Sequence, residues 1–406
     1  MAVERLNGSM YAPYPPIEPM SRASLSSTIG LGCQTCAFLP ECGGVYTEFD
    51  CMACCCNNPT NCMLACPRSP RFQTIVRDSG GLDAGSQWNI KQDIRAGMPL
   101  YVPMIQHGSV RREHVELPLV ALKTFEVTRR RGGNGKMFET AEELRSFFRI
   151  GAKTRLILIS ADQDTELERY WELSRVDSLP ERLAGFGIEL ISAPNFSFPL
   201  NVPRFEHLAN RRRSLICAEE FSGVGMNVVP HLNAVTQGDW DFWRDFLREH
   251  THVKVVAKEF QTGGATRRVA QWHVDQLLRI EDALGRGLHL IAVAGRRHLW
   301  MLTTLSGFTI IDSVPFMKTV YRQRLSHKDG QWKINRTLPG QPLDELLKAN
   351  IAEYSRVLFE NATKLKQYSL SLGNHTFGRL SIGLDESELP TAEWAPAPEQ
   401  MTFDYV

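Results

Sequence analysis

The stretch Leu288–Arg324, LHLIAVAGRRHLWMLTTLSGFTIIDSVPFMKTVYRQR, decides how the chain is read. Leu288–Val293 and Phe308–Ile311 are continuous apolar runs, the pattern of strands buried on both faces of a parallel sheet. Arg297–Ser306 between them has room for a short return helix. The second run ends on Asp312-Ser313, and Arg322 and Arg324 follow within one loop. Parallel α/β proteins place their chemistry at the carboxyl ends of strands. Asp312 is therefore a candidate nucleophile, base or ligand, and the same position also suits a residue that caps the next helix.

Working outward, apolar runs recur at Leu156–Ile159, Ile188–Ile191, Val228-Val229 and Val253–Ala257. The segments between them are long enough for crossover helices, as in Asp239–Glu249 and Arg267–Leu284. This alternation predicts a parallel sheet with right-handed crossovers over 151–330. Upstream strands, with candidates at Pro99–Ile105 and Leu119–Arg129, would complete the count for a TIM-like (β/α) barrel of somewhat irregular form. An open doubly wound α/β sheet is the second choice. No G-x-G-x-x-G follows a first strand, so no nucleotide cofactor is indicated.

Around this core, residues 1–31 read as a Pro- and Ser-rich arm, 71–150 as a connecting α+β region, 331–380 as a C-terminal helical region and 381–406 as an acidic tail. Asp78–Gly81 reads as a turn and Arg130–Gly135 as a Gly-rich hairpin turn. Thr140–Arg149 predicts a helix capped by Thr140 with Glu143 in the capping-box position, and Leu343–Glu360 predicts another helix.

Nine of the ten cysteines fall in 32–70. Cys33, Cys36 and Cys42 have the spacing C-x2-C-x5-C; Cys51, Cys54, Cys55, Cys56, Cys62 and Cys66 follow, with Pro67 after the last. In a reducing compartment such a cluster is a metal site more often than a disulfide framework. Cys33/Cys36 with Cys51/Cys54 would supply four thiolates for structural zinc, while the ending C-x3-C-P also occurs in iron–sulfur proteins. Zinc and iron–sulfur both stay open. The C-x3-C-x2-C spacing of radical enzymes is absent.

The formal charge of +1 leaves no global field to attract nucleic acid, although arginines cluster at Arg129–Arg131, Arg211–Arg213, Arg267-Arg268 and Arg296-Arg297. No apolar run approaches the roughly 20 residues that span a bilayer, and no signal-peptide core is visible, which predicts a cytoplasmic protein without a membrane partner.

The residues after each apolar run define the rim of a site: Asp162, Asn195, His231 and Asn233, Glu259 and Gln261, and Asp312. Polar groups recurring at one register suggest convergence at a barrel mouth. Here the chain resembles the queuine-type tRNA-guanine transglycosylases and their DNA-modifying bacterial and phage relatives. Leu288–Asp312 is similar to the family's L-x-G-V-G, helix and strand ending in Asp. Phe260-Gln261-Thr262-Gly263-Gly264 is similar to its V-Q-G-G turn.

The resemblance implies a pentosyltransferase that exchanges a purine-like base in tRNA or DNA. Asp312 would be the nucleophile and Glu259 or Asp162 the acid. Gln261, Gly263, Gly264, Asn195, His231 and Asn233 would meet the base, and Arg322 and Arg324 the phosphates, as could Arg211–Arg213 and Arg296-Arg297. The chain departs from the family at Ser192-Ala193-Pro194-Asn195-Phe196, where the family has D-S-G-G-F, and in placing its cysteines N-terminally. Two other functions fit the residues: a barrel metallo-hydrolase using His231, Glu259, His289 and Asp312, and a non-catalytic nucleic-acid-binding protein.

Overall fold

The computed structural model describes residues 79–80, 87–94, 97–108, 111–131, 137–198, 204–261, 266–337 and 340–371. The candidate cysteine ligands, Gly263 and Gly264 lie outside the described residues.

In chain order the first elements are β1 (Tyr101–Pro103), β2 (Leu119–Lys123), α1 (Thr124–Thr128), α2 (Ala141–Phe148) and β3 (Arg155–Ile159). They are followed by α3 (Asp164–Leu173), α4 (Leu179–Ala184), β4 (Leu190–Ser192), α5 (Arg204–Gly223), β5 (Val228–Val229), α6 (Gln237–Glu249) and β6 (Val255–Glu259). Then come α7 (Arg267–Leu284), β7 (His289–Val293), a 3-10 turn (Gly295–His298), α8 (Leu299–Leu302), β8 (Gly307–Asp312) and α9 (Val314–Val320). The chain continues through β9 (Gln323–Lys328) and β10 (Gln331–Arg336) to α10 (Leu343–Ser371).

The fold is α/β. Two four-stranded parallel sheets have the orders β2-β3-β4-β5 and β1-β8-β7-β6. Two single parallel bridges run between them, Met104↔Ala121 past the end of β1 and His231↔Ala257 past the end of β5. The first is accompanied by Ile105 N–H donating to Ala121 O at 3.0 Å, the second by Leu232 N–H donating to Ala257 O at 2.8 Å.

Because side chains alternate along a strand, each strand contributes to two apolar layers. Phe308, Ile310, Leu290, Ala292, Val256 and Leu158 pack outward against helices. Val102, Ala121, Ile157 and Leu190, with Val229, Ala257, Ile291 and Ile311, form a second cluster that draws a residue from each of the eight strands. Both faces are buried, which is why the runs show no polar alternation in the sequence.

The helices start and stop where their end residues dictate. Thr236 caps α6 in a full capping box with Asp239, and Trp240, Trp243, Phe246 and Leu247 form its buried stripe. Thr266 caps α7, and Gly285 ends it at φ +62°, a conformation that costs a residue with a Cβ. Thr140 Oγ1 accepts Glu143 N–H at 3.1 Å, as the spacing predicts, but Glu143 reaches back to Glu139 N–H rather than to Thr140.

Two expectations change and one holds. Leu119–Arg129 is not one strand: pairing with β3 stops at Lys123↔Ile159, and the chain turns directly into α1, burying Phe125 and Val127. Its β-branched and aromatic residues suit a strand equally well, so packing overrides local preference. The upstream strands expected to complete the count are present: β1 lies within Pro99–Ile105 and pairs with β8, and β2 opens Leu119–Arg129 and pairs with β3. The polar stretch after Tyr321 is an antiparallel β9–β10 ribbon, closed by Asp329 (φ +55°) and Gly330 (φ +78°). An Asp-Gly pair between strand-like segments is the local signal for that turn. Among the described residues no helix is long and apolar enough to cross a membrane.

Candidate active site at the strand ends

Counting on by twos from the enclosed layer assigns each strand-end residue a side. Lys123 follows Ala121, His231 follows Val229, Glu259 follows Ala257 and Ser313 follows Ile311, so these four share the inner register. Asp312 is one residue off it.

On the inner register, Glu259 is half-buried. Its N–H donates to His231 Nε2 at 3.1 Å, and its Oε1 accepts the N–H of Gln261. Because Nε2 accepts, the proton of the neutral ring sits on Nδ1. His231 Nδ1 has no hydrogen-bond partner among the described residues. Burial, with Lys258 beside it, pushes the His231 pKa down to about 3, so the ring is neutral at pH 7.

Across the site, Lys123 Nζ donates to Asp162 Oδ1 at 2.9 Å, and the same oxygen accepts Gln163 N–H at 3.0 Å. Beneath them Thr124 Oγ1 and Ser160 Oγ share a hydrogen bond of 2.7 Å, and Ser160 N–H donates to Ser192 Oγ at 2.8 Å. Lys123 carries no sequence signal as a strand end, because Leu119–Arg129 reads as one continuous strand.

Asp312 lies between β8 and α10. Its Oδ1 accepts Val314 N–H at 3.0 Å and its Oδ2 accepts the Tyr354 hydroxyl at 2.6 Å. Tyr354 also bonds Arg296, and its ring lies 5.0 Å from that of Tyr101. Burial raises the Asp312 pKa, while Arg296 and the bonds from Tyr354 and Val314 oppose the rise. Both oxygens are engaged, and the capping alternative describes the Val314 contact. Just before this group, Ala294 holds φ +57° where β7 turns into the 3-10 segment, a conformation that strains a residue with a Cβ.

The other candidates divide. Asn195 donates its backbone N–H to Ser160 O at 2.8 Å, and Asn233 Nδ2 donates to Phe196 O at 2.8 Å, tying the loops after β4 and β5 together. Gln261 is exposed. Arg322 and Arg324 are exposed and follow α9 in the chain; Arg322 Nη1 donates to Gln341 O at 3.3 Å.

The arginine clusters are largely structural. Arg211 and Arg213 are fully buried, pairing with Asp239 at 3.2 Å and Glu168 at 2.9 Å. They are therefore corrected as phosphate candidates, since neither presents its charge to solvent. The metallo-hydrolase set is not assembled either. His289 starts β7, at the opposite end from Glu259 and Asp312, and bonds Thr309 Oγ1 at 2.8 Å. Among the described residues no group of three or more His, Cys, Asp or Glu is placed to hold a metal. Cys217, the cysteine outside the module, is fully buried, and burial pushes its thiol well above the ordinary range.

No protein-family model matches the chain, and a comparison with curated proteins finds no match.

Proposed function

We propose that the two parallel sheets close into one eight-stranded (β/α) barrel, and that its carboxyl-end mouth exchanges bases on nucleic acid with Glu259 as the nucleophile. Closure is supported by the bridges Met104↔Ala121 and His231↔Ala257 and by the enclosed layer drawn from all eight strands. The observation that carries the assignment is the register of Glu259, on the same side as that layer, with its backbone hydrogen-bonded to a neutral His231. The resemblance points to Asp312 as nucleophile; the geometry favours Glu259, because Asp312 faces Tyr354.

In this reading a Glu259 carboxylate oxygen bonds to the sugar carbon as the carbon–nitrogen bond to the base breaks. Lys123, held by Asp162, donates a proton to the departing base. The incoming base attacks the same carbon, releases Glu259 and returns its proton to Lys123. The cysteine module is read as a zinc or iron–sulfur scaffold; metal analysis and the visible spectrum of anaerobically purified protein separate the two.

The test is incubation of the full chain with guanine-containing RNA and DNA, followed by denaturing electrophoresis for a covalent adduct. Wild type forms one, Glu259→Gln lowers its yield by about 100-fold or more, and Asp312→Asn by less than about tenfold. Undiminished adduct from Glu259→Gln overturns the assignment. Absence of both adduct and labelled-guanine exchange in wild type overturns base exchange.

A further inference from the structure

We propose that the outward face of the β9–β10 ribbon is a docking strip for the phosphate backbone of nucleic acid, placed beside the carboxyl end of β8. The pairing register divides the ribbon into two faces. Cross-strand pairs Leu325–Ile334 and His327–Trp332 share one face, and Arg324–Asn335, Ser326–Lys333 and Lys328–Gln331 share the other. The first face is held to the body of the protein: Leu325 is buried, and the Trp332 ring lies 5.6 Å from that of Tyr354. Leu325 N–H donates to Asn350 Oδ1 and His327 N–H to Glu353 Oε1, both at 2.8 Å. Since the Tyr354 hydroxyl bonds Asp312, the ribbon is pinned next to the end of β8.

The second face carries Arg324, Lys333 and Lys328 among Ser326, Gln331 and Asn335, with no carboxylate and no apolar side chain. The three cations are exposed, and none of them is in an ion pair among the described residues. Several other surface arginines are paired. Arg129 pairs with Glu126 and Glu166, Arg130 with Asp177, Arg244 with Asp241, and Arg356 with Glu353 and Glu360.

Same-face neighbours on a strand stand about 6.6 Å apart, so Arg324 and Lys328 span roughly 13 Å. A rigid strip of unmatched cations interleaved with neutral hydrogen-bonding groups complements a phosphate backbone, and a two-stranded ribbon is narrow enough for a major groove. The absence of apolar side chains on this face argues against an anionic membrane, where burial of apolar area supplies much of the binding.

The inference borrows from the proposed function only the identity of the polyanion, and its test is independent of the chemistry. Binding of the full chain to fluorescein-labelled single- and double-stranded oligonucleotides is followed by anisotropy across a salt series. The exposed triple variant Arg324→Gln/Lys328→Gln/Lys333→Gln is expected to bind tenfold or more weakly at low salt. Its slope of log K against log[salt] is expected to be shallower by about 2–3, following roughly 0.7–0.9 per lost phosphate contact.

Unchanged affinity and slope overturn the proposal, as does an equal loss from the exposed control Lys153→Gln/Lys348→Gln. Wild type that binds phosphatidylserine vesicles but neither oligonucleotide also overturns it. Introduced into a Glu259→Gln background, which is expected to lose the adduct, the triple substitution is expected to weaken binding by the same factor, so loss of chemistry and loss of docking are read separately.

Discussion

Strands β6 and β8 both end on a carboxylate, and the two carboxylates have different surroundings. Glu259 comes two residues after Ala257 of the enclosed layer and stays on its side; Asp312 comes one residue after Ile311 and faces the opposite way. Around Glu259 stand a neutral His231, whose Nδ1 has no partner among the described residues, and the buried Lys258. Around Asp312 both oxygens are taken, by Val314 and Tyr354. A single residue of register separates a carboxylate on the side of the eight-strand apolar cluster from one bonded to the first turn of a helix.

The comparison breaks most readily at His231. Its folded pKa of about 3 lies below the unfolded value of 6.5, so its contribution to stability is fully present above pH 6.5 and is lost as pH falls toward 3. Urea unfolding of wild type and His231→Gln at a series of pH values should diverge by roughly 2 kcal/mol between pH 6.5 and 4.5, at up to about 1.4 kcal/mol per unit. Parallel curves would mean that the imidazole is not held neutral beneath Glu259.

At the β8 end the corresponding probe is Tyr354→Phe, which leaves Asp312 Oδ2 without its hydroxyl donor. A loss of about 1–3 kcal/mol is expected at pH 7. Because burial raises the folded pKa of Asp312, its stability contribution is complete below pH 3.8 and declines as pH rises through the raised value. The Tyr354 bond opposes that decline, so the variant should suffer more at pH 7 than near pH 4. An equal penalty at both would show that the carboxylate does not depend on Tyr354.

The smallest effect is expected at Lys258, on the outer side of β6. Its Nζ donates to Leu232 O at 3.2 Å and lies 5.4 Å from the Trp240 ring centre. Burial lowers its pKa to about 8, so its contribution to stability is complete above the unfolded value of 10.5 and is lost as pH falls through 8. Lys258→Met should be between neutral and about 2 kcal/mol more stable at pH 7, with the gain shrinking toward pH 10. Clear destabilisation at pH 7 would assign the ammonium a supporting role that its surroundings do not indicate.

Much of the scaffold is legible from sequence because its causes are local. The run Leu288–Val293 contains β7, and the run Phe308–Ile311 lies within β8. The α7 boundaries coincide with Arg267–Leu284 because Thr266 and Gly285 punctuate them. The α6 capping box at Thr236 and Asp239 is equally local. The β9–β10 ribbon, too, had its marker in Asp329-Gly330.

What the chain could not declare by itself depends on pairing between residues distant in sequence. The side to which a strand-end carboxylate points is settled by which neighbours enclose Ala257 and Ile311. Arg211 and Arg213 look like a phosphate grip until Asp239 and Glu168 arrive from other helices. Tyr354 carries no sign in α10 that its hydroxyl meets a strand end 42 residues earlier. Composition and periodicity determined the parallel α/β layering and the helix ends, since burial of apolar runs and local capping need no knowledge of partners. Tertiary structure decided which strand-end polar residues share a side with the eight-strand apolar cluster, since a shift of one residue reverses every side chain on a strand.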